Sequence, residues 1–511
     1  MNDAGFDARF DMTRDRFRAG RIALACAWAL LVAVLAVGHV TALRNSLTVL
    51  VSLVTLAICA REWRTIPCKS VTIALLAWAA VSILWSPATE VSWGKWRTDL
   101  LLPLLAGAAV FCFVRRARGF RVIVLGLVLG LAALSALSIF AYVPVEWVPK
   151  SWALEQSAGI VRPLPHWYPG PGDASMFAIF CIAPLYVAWR TTTVAIAPVR
   201  VIRRERVLLL VAWLLLALVS ITTNNRNAVL VAPAVLILAI FLDRRARRGS
   251  TTAIVAGDVS IARHVRMTER RSARVAIVVF VALLSFAAIA AVLELGARER
   301  LRYLHKPLAG ESAAIELLSN DTRPAIWRYY IVRGLEHPWI GMGFGRTVPG
   351  IGWRTESDRE LAAVEPNAYI HAHNVVLNWW LQLGVVGLAL LGTAMVVIVR
   401  TAASFVQAAD ASRRPAARLV YQAVIVTLVA TLARNLTDDF LVYAMATTFC
   451  VVIGALLGEA SRLAAGSGNV SSRHRDFKPV EQGEARSRSL RAEARQHRPD
   501  GSNADDEIER E

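Results

Sequence analysis

The sequence predicts an all-α protein that crosses a membrane about twelve times and carries one large, mainly helical loop on the outer side. More than half of the residues, 56%, are hydrophobic. The apolar residues come in blocks that approach the roughly 20 residues needed to cross a bilayer. Basic residues cluster in alternate connections between these blocks, which is typical of a multi-pass membrane protein.

In chain order, the pattern predicts five parts. Residues 1–21 form a cytoplasmic segment, and residues 22–292 hold predicted transmembrane helices 1–9. The large outer loop occupies residues 293–373, and residues 374–458 hold helices 10–12. Residues 459–511 form a polar tail that has too few apolar side chains to fold, so we expect it to be disordered.

The basic clusters set the expected orientation and partners. Connections such as Arg115–Arg121 and Arg203–Arg206 are rich in arginine, whereas the intervening short loops hold few basic residues. By the positive-inside rule, both termini are cytoplasmic and the sparse loops are external. The net charge of +19 does not point to nucleic acid, because the sequence contains no soluble basic module. We therefore expect membrane lipids, and no nucleic acid, as partners.

A histidine motif marks the end of the large loop. His371 and His373 precede Asn374 and an apolar stretch that contains Gly384 and Gly387. Imidazole is the side chain best suited to proton transfer near neutral pH, and small residues let membrane helices pack closely. His373 is the stronger candidate of the two histidines because it almost abuts the apolar helix. The alternative for either histidine is a capping or interfacial role.

Four arginines on the predicted outer side are candidates for binding an anion. A charged residue at a membrane edge needs a partner or water, and guanidinium presents fixed parallel donors to phosphate. The alternative is an arginine that snorkels to lipid phosphate. The four are Arg162, Arg226, Arg323 and Arg434.

The sequence positions of two of these arginines favour different roles. Arg226 lies in a polar hairpin too short to need a solubilising charge, which favours a functional role. Arg434 has Asp438 and Asp439 nearby, which favours the snorkelling or ion-pair alternative. The two aspartates are either counter-ions of Arg434 or polar groups that line a cavity.

A glycine-rich stretch in the large loop resembles a phosphate-binding loop only superficially. It contains Gly341, Gly343 and Gly345, but neither a following Lys-Ser/Thr pair nor a preceding strand. A tight turn that brings the loop back over the membrane is the favoured interpretation.

The C-terminal half of the chain resembles the O-antigen ligase / O-antigen polymerase superfamily of bacterial inner membranes. Arg323 and Trp327, followed by HPWIGMGFG, are similar to the pattern in that family's large periplasmic loop. Nine residues separate the His373-Asn374 pair from Gly384, and Gly387 follows, which is similar to the ligase-type histidine motif. The segment RNAVL that begins at Arg226 resembles the ligase arginine motif, and TDDF between the last two helices matches the usual ending.

This resemblance implies an enzyme and its substrates. It implies a glycosyltransferase that moves a glycan from undecaprenyl diphosphate to a sugar hydroxyl of lipid A-core, on the periplasmic side. Arg226 and Arg323, with Arg162, would bind the diphosphate, and His373 would orient or deprotonate the acceptor hydroxyl. The remaining residues expected to bind substrate are Asn374, Trp327, Arg434 and Asp438. No cofactor is expected.

Two features of the reaction follow from the same reading. The outer segments hold no carboxylate-rich cluster, so we predict transfer without a metal, with arginines taking the place of a divalent ion. Direct attack at the anomeric carbon predicts inversion of configuration.

Three other functions remain open. A polymerase, which adds a growing glycan as acceptor, shares the arginine-rich periplasmic loop and is the runner-up. A protein O-oligosaccharyltransferase would use a protein hydroxyl. A lipid-linked glycan transporter would require charged residues well inside the membrane segments, whereas the charges here concentrate at segment boundaries.

Overall fold

The computed structural model describes most of the helical part of the chain. The described residues are 4–140, 154–157, 160–163, 168–192, 199–222, 226–251, 323–352, 372–409, 413–436, 439 and 441–465.

The N-terminal half is a series of helices joined by short turns. The helices are α1 (Ala4–Val34), α2 (Thr41–Ile58), α3 (Lys69–Val81), α4 (Thr89–Lys95), α5 (Leu102–Ala117), α6 (Phe120–Phe140), α7 (Pro171–Thr192), α8 (Val199–Thr222) and α9 (Arg226–Thr251). The 3-10 helices Ala60–Thr65 and Ser82–Trp85 flank α3, and the π-helical turn Trp96–Leu101 joins α4 to α5. Pro103 lies in the first turn of α5, where its missing N–H is not needed.

The C-terminal half contains two short helices and three long ones. They are α10 (Arg323–Gly334), α11 (Val348–Gly352), α12 (Val375–Ala408), α13 (Arg414–Asn435) and α14 (Tyr443–Ala465).

Between α6 and α7 lies a two-stranded antiparallel hairpin of β1 (Leu154–Ser157) and β2 (Ile160–Pro163). The predicted all-α class therefore holds for the described residues apart from this hairpin, which the sequence did not predict.

The helices pack around a continuous apolar core. α1 packs on α2 and α6, α7 contacts α6, α8, α9 and α13, and α12 contacts α3 and α13. Trp28 is fully buried in this core, and its indole Nε1 donates a hydrogen bond to Thr55 Oγ1 at 3.0 Å. Gly454 lets α14 approach α5 closely, because an added Cβ would lie 2.3 Å from the Gly107 carbonyl oxygen.

The helices agree with the predicted apolar blocks, but the predicted number of crossings is not confirmed. Every apolar block that falls within the described ranges lies on a helix. Seven of the described helical segments are long and apolar enough to cross a membrane, and two more, Ala19–Val34 and Lys69–Trp85, are shorter. The protein is therefore a multi-pass membrane protein. The predicted helix at residues 275–292 and most of the large loop lie outside the described residues.

Candidate active site

The start of α12 fixes the position of His373. Asn374 is the N-cap, and its Oδ1 accepts a hydrogen bond from the Leu377 N–H at 3.1 Å. Its Nδ2 donates to the carbonyl oxygen of Leu436 at 2.9 Å, which ties the start of α12 to the end of α13. His373 adopts a left-handed backbone with φ of 50°, which is uncommon for a residue other than glycine. Such conformations cluster at functional sites, and the His373 side chain here is partly exposed.

One helical turn further, a buried polar link joins three parts of the chain. Asn378 Nδ2 donates a hydrogen bond to Asp439 Oδ2, and both residues are 1% exposed. Arg346 Nη1 donates to the backbone oxygen of Asp439 at 2.8 Å. Asp439 thus connects α12, the glycine-rich stretch and the segment before α14. This linking role of Asp439 is a third one, beside the counter-ion and cavity-lining roles considered for the aspartates, and Asp438 lies outside the described residues.

Gly384 breaks α12. Its φ of 67° and ψ of −170° are not helical. A Cβ at this position would lie 2.1 Å from the carbonyl carbon of Trp339, so only glycine fits. The sequence predicted a small residue that allows close packing, and Gly384 does allow the close contact with Trp339, but the break in the helix was not predicted. The role of Gly384 is to open the helix so that another segment can dock against it.

The docked segment is the glycine-rich stretch Pro338–Gly345. Four backbone hydrogen bonds join it to the broken turn: Met342 N to Leu381 O (2.8 Å), Gly343 N to Gln382 O (2.9 Å), Val385 N to Pro338 O (2.9 Å) and Val386 N to Trp339 O (3.4 Å). The side chain of Gln382 adds a fifth bond, since its Oε1 accepts from the Gly345 N–H at 2.8 Å. The N–H groups of Gly343 and Gly345 are thus occupied by protein, which excludes a phosphate cradle here and supports the tight-turn interpretation.

The N-terminal helices complete the hydrogen bonding of this junction. Trp78 Nε1 donates to Leu383 O at 3.0 Å, and Trp85 Nε1 donates to Gly341 O at 3.2 Å. Ser82 Oγ accepts from the Phe344 N–H at 3.0 Å. A broken helix in a membrane must satisfy its backbone groups within the protein, and these side chains do so. The sequence alone did not single out any of them.

α10 brings two predicted site residues to the same junction. Arg323 is its first residue and is partly exposed. Trp327, one turn later, packs against a small cluster in which Tyr330 and Leu381 lie with Ala372, the neighbour of His373. The indole Nε1 of Trp327 is buried and has no hydrogen-bond partner among the described residues, which is unusual for a buried polar atom.

A second polar cluster lies near the same helix ends. Arg44 and Asp99 are each 7% exposed, and Arg44 is within electrostatic range of Asp99 and Asp173. The Tyr443 N–H donates to Asp99 Oδ1 at 3.3 Å, and Lys95 Nζ donates to the Tyr443 hydroxyl. This cluster joins the starts of α2, α7 and α14. Opposite charges within electrostatic range offset part of the cost of burying them.

Arg434 is buried rather than snorkelling. It is 1% exposed near the end of α13, which contradicts the lipid-phosphate alternative, whereas its pairing with Asp438 or Asp439 stays a prediction. Its neighbour Asn435 donates hydrogen bonds to Thr431 O at 2.7 Å and to the sulfur of Met176 on α7. Arg434 therefore lies inside the bundle.

The structure describes the remaining predicted residues only by their backbone. Arg226 is the first residue of α9, and Arg162 lies in β2 opposite Glu155 of β1. Their side chains are outside what the structure describes, so it does not test whether they meet His373. No group of three or more His, Cys, Asp or Glu side chains in the described ranges is arranged to hold a metal ion.

The comparison with protein families concerns the middle of the chain. A family model for O-antigen ligase matches residues 210–392. This match supports the O-antigen ligase superfamily for that part of the chain. No curated protein matches the chain.

The matched region contains most of the features described above. The matched range includes Arg226, α10 with Arg323 and Trp327, and the first half of α12 with His373. The docked stretch Pro338–Gly345 and the break that receives it also fall inside it. The match implies a glycosyltransferase-like enzyme. Asp439 and Arg434 lie outside residues 210–392, so the evidence that they lie next to the matched region comes from the structure and not from the family model.

Proposed function

We propose that this protein transfers a glycan from undecaprenyl diphosphate to a sugar hydroxyl of lipid A-core at the periplasmic face of the bacterial inner membrane. One observation carries the proposal. The capped, left-handed turn at His373 lies against the helix that carries Arg323 and Trp327, and all three lie in the region that matches the O-antigen ligase family model.

His373 acts on the acceptor. A sugar hydroxyl is far too weakly acidic for imidazole to deprotonate it beforehand, so the proton moves to the ring as the glycosidic bond forms. Asn374 spends both ends of its amide on the helix cap and on Leu436. It therefore holds the His373 turn in place, and its second N–H and second lone pair leave it able to contact substrate as well.

The arginines act on the donor. Departure of undecaprenyl diphosphate builds negative charge on the phosphate oxygens, and fixed cations stabilise that charge in the transition state. We assign this role to Arg226 and Arg323, with Arg162 as a further cation. The buried indole N–H of Trp327 supplies a hydrogen bond to a donor oxygen. Arg434 and Asp438 line the substrate site.

The reaction proposed is a single displacement. The acceptor oxygen forms a bond to the anomeric carbon as the bond from that carbon to the phosphate oxygen breaks, and the configuration inverts. The acceptor proton passes to His373, and the electron pair leaves with the diphosphate. The arginines do the work that a divalent ion would do in a metal-dependent transferase.

A polymerase that elongates a lipid-linked glycan is the second candidate, because it would use the same donor and the same cations. Protein O-glycosylation and lipid-linked glycan transport follow with less support.

The test is lipopolysaccharide profiling of the native host after deletion of the gene. The strain is complemented with wild type, with His373→Ala or with the control His337→Ala, which changes an exposed histidine of the same loop. Bare lipid A-core in the deletion and His373→Ala strains, with long glycan accumulating on the lipid carrier, supports the ligase. Core that bears a single repeat indicates the polymerase, and unchanged lipopolysaccharide contradicts both.

A further inference from the structure

α10 and the turn after it expose a run of large apolar side chains. Trp339 is 67% exposed, Leu335 63% and Val332 61%, and Ile331 and Ile340 are exposed as well. Leaving such side chains in water costs about 25 cal/mol for each Å² of apolar surface. Contiguous exposed apolar surface of this kind marks an interaction site.

The polarity of α10 changes along its length. Arg323 and Arg328, at and near its start, are partly or fully exposed. Arg328 shares a face with Ile331 and Val332, which are three and four residues later. The charges at the apolar end are paired, since Arg333 Nη1 lies 3.0 Å from Glu336 Oε1. One end of the helix therefore suits water, and the other suits hydrocarbon.

The depth of the apolar end of α10 in the membrane follows from the part of α12 beside which it lies. Arg400 is the first charged residue after the break at Gly384. A hydrocarbon layer of about 30 Å takes roughly 20 helical residues, so counting back from Arg400 reaches Trp380. Trp379 and Trp380 thus fall at the membrane–water boundary, where tryptophan is favoured. Gly384 lies about 6 Å deeper.

The apolar end of α10 is attached to α12 at this depth. Trp380 Nε1 donates a hydrogen bond to Pro338 O at 3.0 Å, and Gly334 lies so close that an added Cβ would be 2.5 Å from the Trp380 ring. Trp339 lies against Gly384 itself. The apolar face of α10 is therefore level with the outer part of the α12 span.

Two further observations fit a lipid environment. Val385 and Val386 of α12 are exposed at the same level, so the apolar surface continues onto a membrane-spanning helix. The irregular backbone at this depth is satisfied by protein, because the Val386 N–H donates to Trp339 O and the Trp85 indole donates to Gly341 O. Non-helical backbone is tolerated at membrane depth only under that condition.

We propose that Ile331–Ile340 is an interfacial membrane anchor whose partner is the acyl chains of the outer leaflet. The anchor sinks about 5–10 Å below the head groups, as amphipathic interfacial helices do. Arg323 and Trp327, at the other end of the same helix, are thereby held at the level of the lipid head groups. The inference rests on which side chains are exposed and on how deep in the membrane they lie, and it holds whichever glycan or acceptor the enzyme uses.

Depth measurement by electron paramagnetic resonance tests the anchor on the full-length protein. The native cysteines are replaced, and a nitroxide label is attached at L335C or I340C. Two further labelled sites serve as references. V396C, on the exposed apolar side of α12, is the reference for lipid exposure, and R328C, at the polar end of α10, is the reference for water exposure. Each variant is reconstituted in vesicles of phosphatidylethanolamine and phosphatidylglycerol, and collisions with oxygen, which partitions into lipid, are compared with collisions with water-soluble nickel-EDDA.

We expect labels at 335 and 340 to collide more with oxygen than with nickel-EDDA, as at 396, and the label at 328 to show the reverse. Collisions dominated by nickel-EDDA at 335 and 340 would overturn the anchor in favour of a water-exposed loop. Low collision rates with both reagents would overturn it in favour of a protein partner that covers the patch.

Discussion

Gly384 of α12 lies directly against the backbone of Trp339, so closely that a Cβ on Gly384 would be 2.1 Å from the Trp339 carbonyl carbon. This contact is possible because Gly384 takes a positive φ and opens the helix. The contact couples the membrane-spanning helix that begins after His373 to the loop helix that carries Arg323. The geometry of the proposed site therefore depends on Gly384, a residue that has no side chain to take part in the reaction.

Gly384→Ala is expected to unfold this junction. The extended backbone of positive φ at Gly384 is essentially restricted to glycine and costs about 1–3 kcal/mol for a residue with a Cβ, and the overlap with Trp339 adds to that. The measurement is thermal unfolding of the purified protein in detergent. Gly392→Ala is the matched control, because Gly392 lies further along α12 with open space around it. Equal melting temperatures for the two variants would contradict the tight contact.

Asp439→Ala is expected to cost about 1–3 kcal/mol, because it leaves the buried Asn378 amide without its acceptor. Asn378→Ala should cost a similar amount. Since the two side chains form one link, the double variant should be less destabilised than the sum of the single variants. Thermal or denaturant unfolding of the four proteins measures this coupling. Strict additivity would show that the link contributes nothing to stability.

The positions of the helices were predictable because long apolar blocks leave few alternatives in a membrane. The break in α12 was not, because glycine is common inside membrane helices and only the docking of Pro338–Gly345 fixes its φ. Asn378 and Gln382 could have been singled out from the sequence, because they are two polar residues, four positions apart, in the apolar run VVLNWWLQL. The electrostatic proximity of buried Arg44 to Asp173 and Asp99 links segments that are distant in the chain, and no local pattern reveals it.

Asn374 variants separate its two hydrogen bonds. Asn374→Asp keeps a capping acceptor for the Leu377 N–H but loses the donor to Leu436 O, whereas Asn374→Ala loses both. We expect Asn374→Ala to lose about 1 kcal/mol more stability than Asn374→Asp. Glycan transfer at saturating donor should fall in both, because the His373 turn loses its tie to α13. Full activity in both variants, measured by transfer assay, would argue against a positioning role.

Chelation tests the proposed use of arginines in place of a metal. Purified protein treated with EDTA is expected to keep its transfer rate, because the diphosphate charge is neutralised by side chains. Arg323→Ala, in contrast, is expected to slow transfer at least tenfold. Activity that EDTA abolishes and an added divalent ion restores would refute the metal-independent mechanism.

The most direct measurement is glycan transfer by the purified protein in vesicles that contain a polyprenyl-diphosphate-linked glycan and lipid A-core. We predict that the wild type and His337→Ala form the glycosylated acceptor at equal rates. His373→Ala should be slower by about 10²- to 10⁴-fold, the usual range for loss of a general base, with an unchanged melting temperature. Transfer by His373→Ala at the wild-type rate would contradict the assignment of His373, and absence of transfer by the wild type would contradict the proposed reaction itself.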